Sequence, residues 1–202
     1  MVVKKKYSFK ETNDVKILVV GPSGCGKTCL LTIFKDEPFP AEYVPTVIDT
    51  FATEYQIGEK IIYMMFWDTS GHGGYIQQHN INFDTIDMVL LCYSVQDQAN
   101  FEQCKKQWFP FARNITPQAH KFVIAMKVDL RNMPDADKDE IVTAEEGLEW
   151  SRAINANLFI ETSALTGYNV KACFDMMGRY IHEKIFDDNY SGGSGNRFCW
   201  CC

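Results

Sequence analysis

The sequence offers no disulfide framework. Of its eight cysteines, Cys25, Cys29, Cys92, Cys104 and Cys173 are scattered, and Cys199, Cys201 and Cys202 crowd the end. That usage suits a reducing compartment. No apolar run approaches the roughly 20 residues of a membrane-spanning helix, and the apolar stretch in Met1–Phe9 is too short for a signal peptide. Positive charge is also short: 20 Lys and Arg face 26 Asp and Glu, for a net charge of −6. With no broad basic surface to neutralise phosphates, nucleic acid is excluded as the main partner. His79, His120 and His182 show no metal-ligand spacing, and there are no internal repeats. What remains is the size and composition of one α/β domain, expected as a monomer in the cytoplasm.

The most informative stretch is Gly21-Pro22-Ser23-Gly24-Cys25-Gly26-Lys27-Thr28. It follows the apolar run Val15–Val20 and leads into Cys29–Phe34, which reads as a helix. Strand, glycine-rich turn and helix in that order are the context of the G-x-x-x-x-G-K-[ST] phosphate loop. Its glycines let successive N–H groups turn inward around a phosphate, and the helix N-terminus adds partial positive charge. The expected nucleotide contacts run through Ser23, Gly24, Cys25, Gly26, Lys27, Thr28 and Cys29. Lys27 reaches the β- and γ-phosphates, and the Thr28 hydroxyl holds Mg²⁺.

Further along, 35–47 is Pro- and Glu-rich and reads as a loop, and 51–57 with 60–67 reads as a β-hairpin turning at Gly58-Glu59. Buried strands are expected over 87–94, 121–128 and 158–161, with helices over 98–112, from a Thr143–Glu146 capping box to about Ile154, and over 170–186. Residues 131–140 read as an Asp-rich loop. The alternation predicts a doubly wound, mostly parallel α/β sheet with one antiparallel strand and helices on both faces.

In such a sheet, ligands sit beyond the carboxyl ends of the strands. Asp68-Thr69-Ser70-Gly71 follows the hairpin, so Asp68 is placed for the Mg²⁺ shell and the Gly71 N–H for the γ-phosphate. The strand ending at Val128 carries Lys127 and runs into Asp129. The Asp129 carboxylate can accept two N–H bonds from guanine, and adenine lacks that donor pair. Taken alone, Asp129 is equally readable as a turn former. The next strand ends in Glu161-Thr162-Ser163-Ala164-Leu165, where the Ala164 N–H can reach guanine O6.

These loops together resemble a small GTPase of the Ras superfamily, and most of all the Rho/Rac family. The likeness covers about 15–185 and includes Tyr43-Val44-Pro45-Thr46-Val47, Trp67-Asp68-Thr69, Trp108-Phe109-Pro110, Lys127-Val128-Asp129-Leu130-Arg131 and Ser163-Ala164-Leu165. The resemblance implies a GTP-binding domain over 15–186 between a polar extension, 1–14, and a flexible lipidated tail, 187–202. It implies GTP and GDP as ligands, Mg²⁺ on Thr28, Thr46 and Asp68, and nucleotide contacts from Phe39, Tyr43, Lys127, Asp129, Leu130, Ser163, Ala164 and Leu165. Segments 35–48 and 71–82 would be two switches that meet an exchange factor, an activating protein and effectors. Control of actin or membrane traffic follows by analogy alone.

Several positions depart from the family. Among the expected catalytic groups His72, Gly71 and Lys27, His72 stands where the family carries the glutamine that orients the attacking water. A neutral imidazole has one donor and one acceptor on opposite sides of its ring, which predicts slow hydrolysis unless the ring is a competent substitute. Gly73 and Gly74 replace acidic residues, Ser23 a glycine and Ser70 an alanine. Met126 stands where relatives carry Asn or Thr, and its thioether cannot make the Asn bonds to the phosphate loop. The segment 131–140 is shorter than the Rho insertion. Two alternatives stay open: a GTP-locked scaffold without turnover, and a P-loop ATPase or kinase, against which Asp129 argues.

The end, Phe198-Cys199-Trp200-Cys201-Cys202, reads either as prenylation at Cys199 or as a double-cysteine ending modified at Cys201 and Cys202. One lipid binds membranes marginally, so a second lipid or Lys4-Lys5-Lys6 would complete an anchor at the cytoplasmic face of a membrane. Three lysines are equally a solvated terminus.

Overall fold

The computed structural model describes residues 14–40, 48–57, 60–69, 71, 82–134 and 137–184. Six strands form one sheet: β1 (Asp14–Val20), β2 (Ile48–Ile57), β3 (Lys60–Thr69), β4 (Met88–Ser94), β5 (His120–Met126) and β6 (Leu158–Glu161). Their order is β2-β3-β1-β4-β5-β6; β2 and β3 are antiparallel and all other pairs parallel. The expected sheet is therefore present. The chain leaves β1 for one side and returns to its other side at β4, so the crevice where the order reverses lies at the carboxyl end of β1.

The helices are α1 (Lys27–Phe34), α2 (Gln98–Gln103), α3 (Phe109–Ile115), α4 (Ala144–Ala153) and α5 (Val170–Lys184). The period of two along each strand divides the core. On β1, Ile17 and Val19 join Leu30 of α1 and Phe174 of α5, while Leu18 and Val20 face Phe101, Trp108 and Trp150. β4 divides likewise into Leu90 and Cys92 against Leu91 and Tyr93. Burial on both faces explains why these strands read as continuous apolar runs. No described helix is long and apolar enough to cross a membrane.

Several boundaries differ from expectation, and those in the hairpin, the helix over 98–112 and the fifth strand bear on the site. The hairpin strands are longer, so β3 carries Asp68 and Thr69 within the ladder. The helix read over 98–112 extends to Ile115 and contains a π turn at Cys104–Trp108. Pro110 accounts for the turn: it has no N–H to donate and its ring crowds the carbonyl one turn earlier. Finally, β5 stops at Met126 rather than Val128. Lys127 adopts a left-handed φ of 61° and a 3₁₀ turn follows over Val128–Asn132. Val128 stays apolar because it packs under this turn on the α4 side of the core. The capping box holds: Glu146 N donates to Thr143 Oγ1 at 3.2 Å and Thr143 N to Glu146 Oε2 at 2.7 Å. The hairpin turn Gly58-Glu59 and residues 185–186 of the last expected helix lie outside the described residues.

Candidate functional site

The phosphate loop begins where β1 ends, and glycine is required at its first position. A Cβ on Gly21, at φ 155°, would stand 2.1 Å from the Cys92 carbonyl oxygen of β4. The loop passes Ser23 and Gly24 and reaches Gly26, whose carbonyl accepts the Leu30 N–H at 2.9 Å to start α1. Lys27 is buried, its Nζ donating to the carbonyls of Gly21 at 2.8 Å and Pro22 at 2.9 Å. The ammonium is thus folded into the loop it belongs to, beside Cys25. Burial pushes the Cys25 and Cys29 thiols up against the lowering pull of nearby lysines. Cys25 is a buried thiol packed in the core.

β3 runs parallel to β1 and sets Asp68 beside Val19, and Thr69 Oγ1 donates to the Val19 carbonyl at 2.7 Å. Thr28 Oγ1 donates to Asp68 Oδ2 at 2.6 Å. Asp68 Oδ1 is buried with no hydrogen-bond partner among the described residues. Burial raises the Asp68 pKa above the ordinary value, opposed by the Thr28 hydrogen bond and the Lys27 charge. A hydroxyl and a carboxylate with an unused buried oxygen form a hard, oxygen-only donor set, which fits Mg²⁺. A Cβ on Gly71 would lie 2.0 Å from Ser23 N, so the backbone after β3 rests on the phosphate loop as only glycine allows.

The other end of the site is built from β5 and β6. Thr162 N donates to the Ala125 carbonyl at 2.7 Å and Val128 N to the Thr162 carbonyl at 3.2 Å, bringing the two loops together. Asp129 sits in the 3₁₀ turn, its Oδ1 buried without a hydrogen-bond partner among the described residues. Lys127 Nζ approaches Gln96 Oε1 at 3.4 Å, and Leu130 is half-buried. Ser163 is buried: its N–H donates to the Tyr168 carbonyl at 3.0 Å and its Oγ accepts from Thr166 N at 3.2 Å. Ala164 is half-buried and Leu165 exposed. Phe39 is 42% exposed, so it is not a core residue.

Met126 links the two ends. It is buried, and its Cε lies 3.6 Å from where a Cβ on Gly26 would stand. The thioether presents an apolar end toward Gly26 of the phosphate loop, where an Asn would make hydrogen bonds. Sequence reasoning identified the lost polar contact and missed the apolar one. It also passed over Arg131 and Glu161, whose side chains meet at 2.6 Å between the purine loops. Their opposite charges, one in the turn after β5 and one at the end of the adjacent β6, were the available signal.

Thus the phosphate loop of Ser23, Gly24, Cys25, Gly26, Lys27, Thr28 and Cys29 meets Asp68 through Thr28 and Gly71 through Ser23, and the turn carrying Asp129 is tied through Val128 to Thr162, which precedes Ser163 and Ala164. Tyr43, Thr46, Ser70, His72, Gly73, Gly74, His79, Lys4–Lys6 and Cys199, Cys201 and Cys202 lie outside the described residues, as do most of the two expected switches.

A sequence profile described as the Ras family matches residues 16–183. The chain is 32% identical over 190 residues to the Rho-related protein racE of Dictyostelium discoideum, covering 90% of this chain and 85% of that protein. With this match across the whole sheet and its loops, the chain belongs to the Ras family and is a Rho/Rac-like small GTPase.

Proposed function

We propose that this GTPase is a Mg²⁺-dependent guanine-nucleotide switch with slow intrinsic hydrolysis. The observation that carries the reading is a pair of buried carboxylate oxygens, Asp68 Oδ1 and Asp129 Oδ1. They sit one at each end of the site and have no hydrogen-bond partner among the described residues. Leaving such oxygens unmet costs about 1–3 kcal/mol each, so both suit a ligand that satisfies them. Asp129 accepts the N1–H and 2-amino hydrogens of guanine, and Ala164 N–H donates to O6. The amides of 23–29 cradle the phosphates, and Lys27 exchanges its loop carbonyls for phosphate oxygens. Thr28, Asp68 and Thr46 hold Mg²⁺, which when bound neutralises charge on the phosphate oxygens. Phe39 and Tyr43 cover the nucleotide, with Lys127, Leu130, Ser163 and Leu165 flanking the purine.

Hydrolysis cleaves the bond between the β- and γ-phosphates by attack of water, with GDP leaving. Gly71 N–H and Lys27 stabilise the charge that develops on the γ-phosphate. His72 must orient the water, and its ring cannot serve the water and the transition-state oxygen together. The GTP form engages effectors through 35–48 and 71–82, the same segments that meet the exchange factor and activating protein. Lipid on Cys199, or on Cys201 and Cys202, holds the chain at the cytoplasmic face of a membrane, where it acts as a monomer on actin or membrane traffic.

Single-turnover hydrolysis tests this reading: His72→Gln is expected to accelerate GTP cleavage about tenfold or more, and an unchanged or slower rate contradicts it. A wild-type rate indistinguishable from zero, even with a Rho-type activating protein, would favour the GTP-locked scaffold instead.

A further inference from the structure

Two charged side chains beside the proposed nucleotide site bridge the turn after β5 and the end of β6. Arg131 lies in the 3₁₀ turn that carries Asp129, and Glu161 is the last residue of β6. Arg131 Nη2 stands 2.6 Å from Glu161 Oε1, with side-chain exposures of 19% and 23%. The contact is an ion pair rather than an aligned hydrogen bond, and neither atom has a hydrogen-bond partner among the described residues.

Each partner is tied down separately. Arg131 Nε donates to the Val142 carbonyl at 2.9 Å. Val142 N donates in turn to the Val95 carbonyl at 3.0 Å, and Val95 N to the Met126 carbonyl at 2.9 Å. On the other side, Asn169 Nδ2 donates to the Glu161 carbonyl at 3.0 Å. Arg131 follows Asp129 by two residues, and Glu161 precedes Ala164 by three.

A partly buried ion pair is a weak stabiliser, since a well-packed apolar pair often serves as well or better. What it fixes is geometry, because each charge is unpaired if the loops drift apart. Asp129 Oδ1 has no described partner to aim it, so its direction depends on where its turn is held. Resting on the guanine reading above, we infer that Arg131 and Glu161 are a positioning pair for purine recognition. They hold the Asp129 carboxylate and the Ala164 amide at the spacing that one purine edge requires.

Inosine nucleotides test this, because hypoxanthine keeps O6 and N1–H and lacks the 2-amino group that Asp129 accepts. Full-length chain is titrated with Mg·GDP and Mg·IDP in competition with a fluorescent GDP. The wild type is expected to prefer GDP about tenfold or more. Glu161→Gln and Arg131→Met are expected to lower that preference at least about threefold, and Arg131→Lys, which keeps the charge, to restore most of it. Glu161→Gln preserves shape and carries the test if thermal unfolding shows that Arg131→Met lowers the folded fraction. Equal weakening of GDP and IDP, with the ratio unchanged, overturns the inference alone. A wild type that binds Mg·IDP as tightly as Mg·GDP overturns the site reading along with it.

Discussion

The two ends of the site are held by different physics. The phosphate end is shaped by close backbone approach, with Gly21 against the Cys92 carbonyl and Gly71 against Ser23. Two side-chain hydrogen bonds, Thr28 to Asp68 and Thr69 to the Val19 carbonyl, help to join its two halves. The purine end is instead braced by side chains, through Arg131 on Glu161 and Val142 and Asn169 on the Glu161 carbonyl. Steric contacts fail abruptly because a backbone has nowhere to go. Braces fail by degrees because neighbouring contacts share the load.

The largest expected effect breaks the phosphate end. Gly21→Ala forces a Cβ to 2.1 Å from a backbone oxygen at a φ unfavourable to L residues. It is expected to cost about 3 kcal/mol or more of stability in urea unfolding and to abolish nucleotide retention. Asp129→Ala comes next. It should leave the fold standing, because Oδ1 has no described partner to lose, yet weaken Mg·GDP about a hundredfold or more by calorimetry. A loss of fold instead would show that the purine end is as steric as its counterpart.

Met126→Ala sharpens the contrast, since this residue belongs to both ends. Removing the buried thioether beside Gly26 should cost about 2–3 kcal/mol and speed GDP release, read by urea unfolding and fluorescent-nucleotide dissociation. The smallest effect lies outside both ends. Thr143→Ala removes the α4 cap and is expected to cost about 1 kcal/mol. The hydrogen bond from the Thr143 backbone N–H, opposed by burial, holds the Glu146 pKa below its ordinary value of 4.5. Its contribution is therefore complete above that ordinary value and lost as pH falls through the lowered one. Acid titration of wild type and Glu146→Gln checks the sign, the variant showing a flatter decline.

What was legible in the sequence follows the same division. The phosphate loop is a local pattern, because its geometry is dictated by glycines and a lysine a few residues apart. β6 is readable to the residue and α4 from its capping box, since both are set by local signals. The end of β5 is misplaced by sequence reasoning because Val128 is apolar for reasons of packing beneath the 3₁₀ turn, and periodicity cannot distinguish that from strand. The π turn escapes notice although Pro110 marks it. Arg131 with Glu161 and Met126 with Gly26 are contacts between distant segments, which only the folded sheet brings into register.

The most direct test of the central claim is a competitive titration of wild-type chain, stripped of nucleotide and supplied with Mg²⁺, against GDP and ADP. The carboxylate of Asp129 predicts a preference for GDP of about a hundredfold or more. Equal affinity, or a preference for ADP, would contradict it.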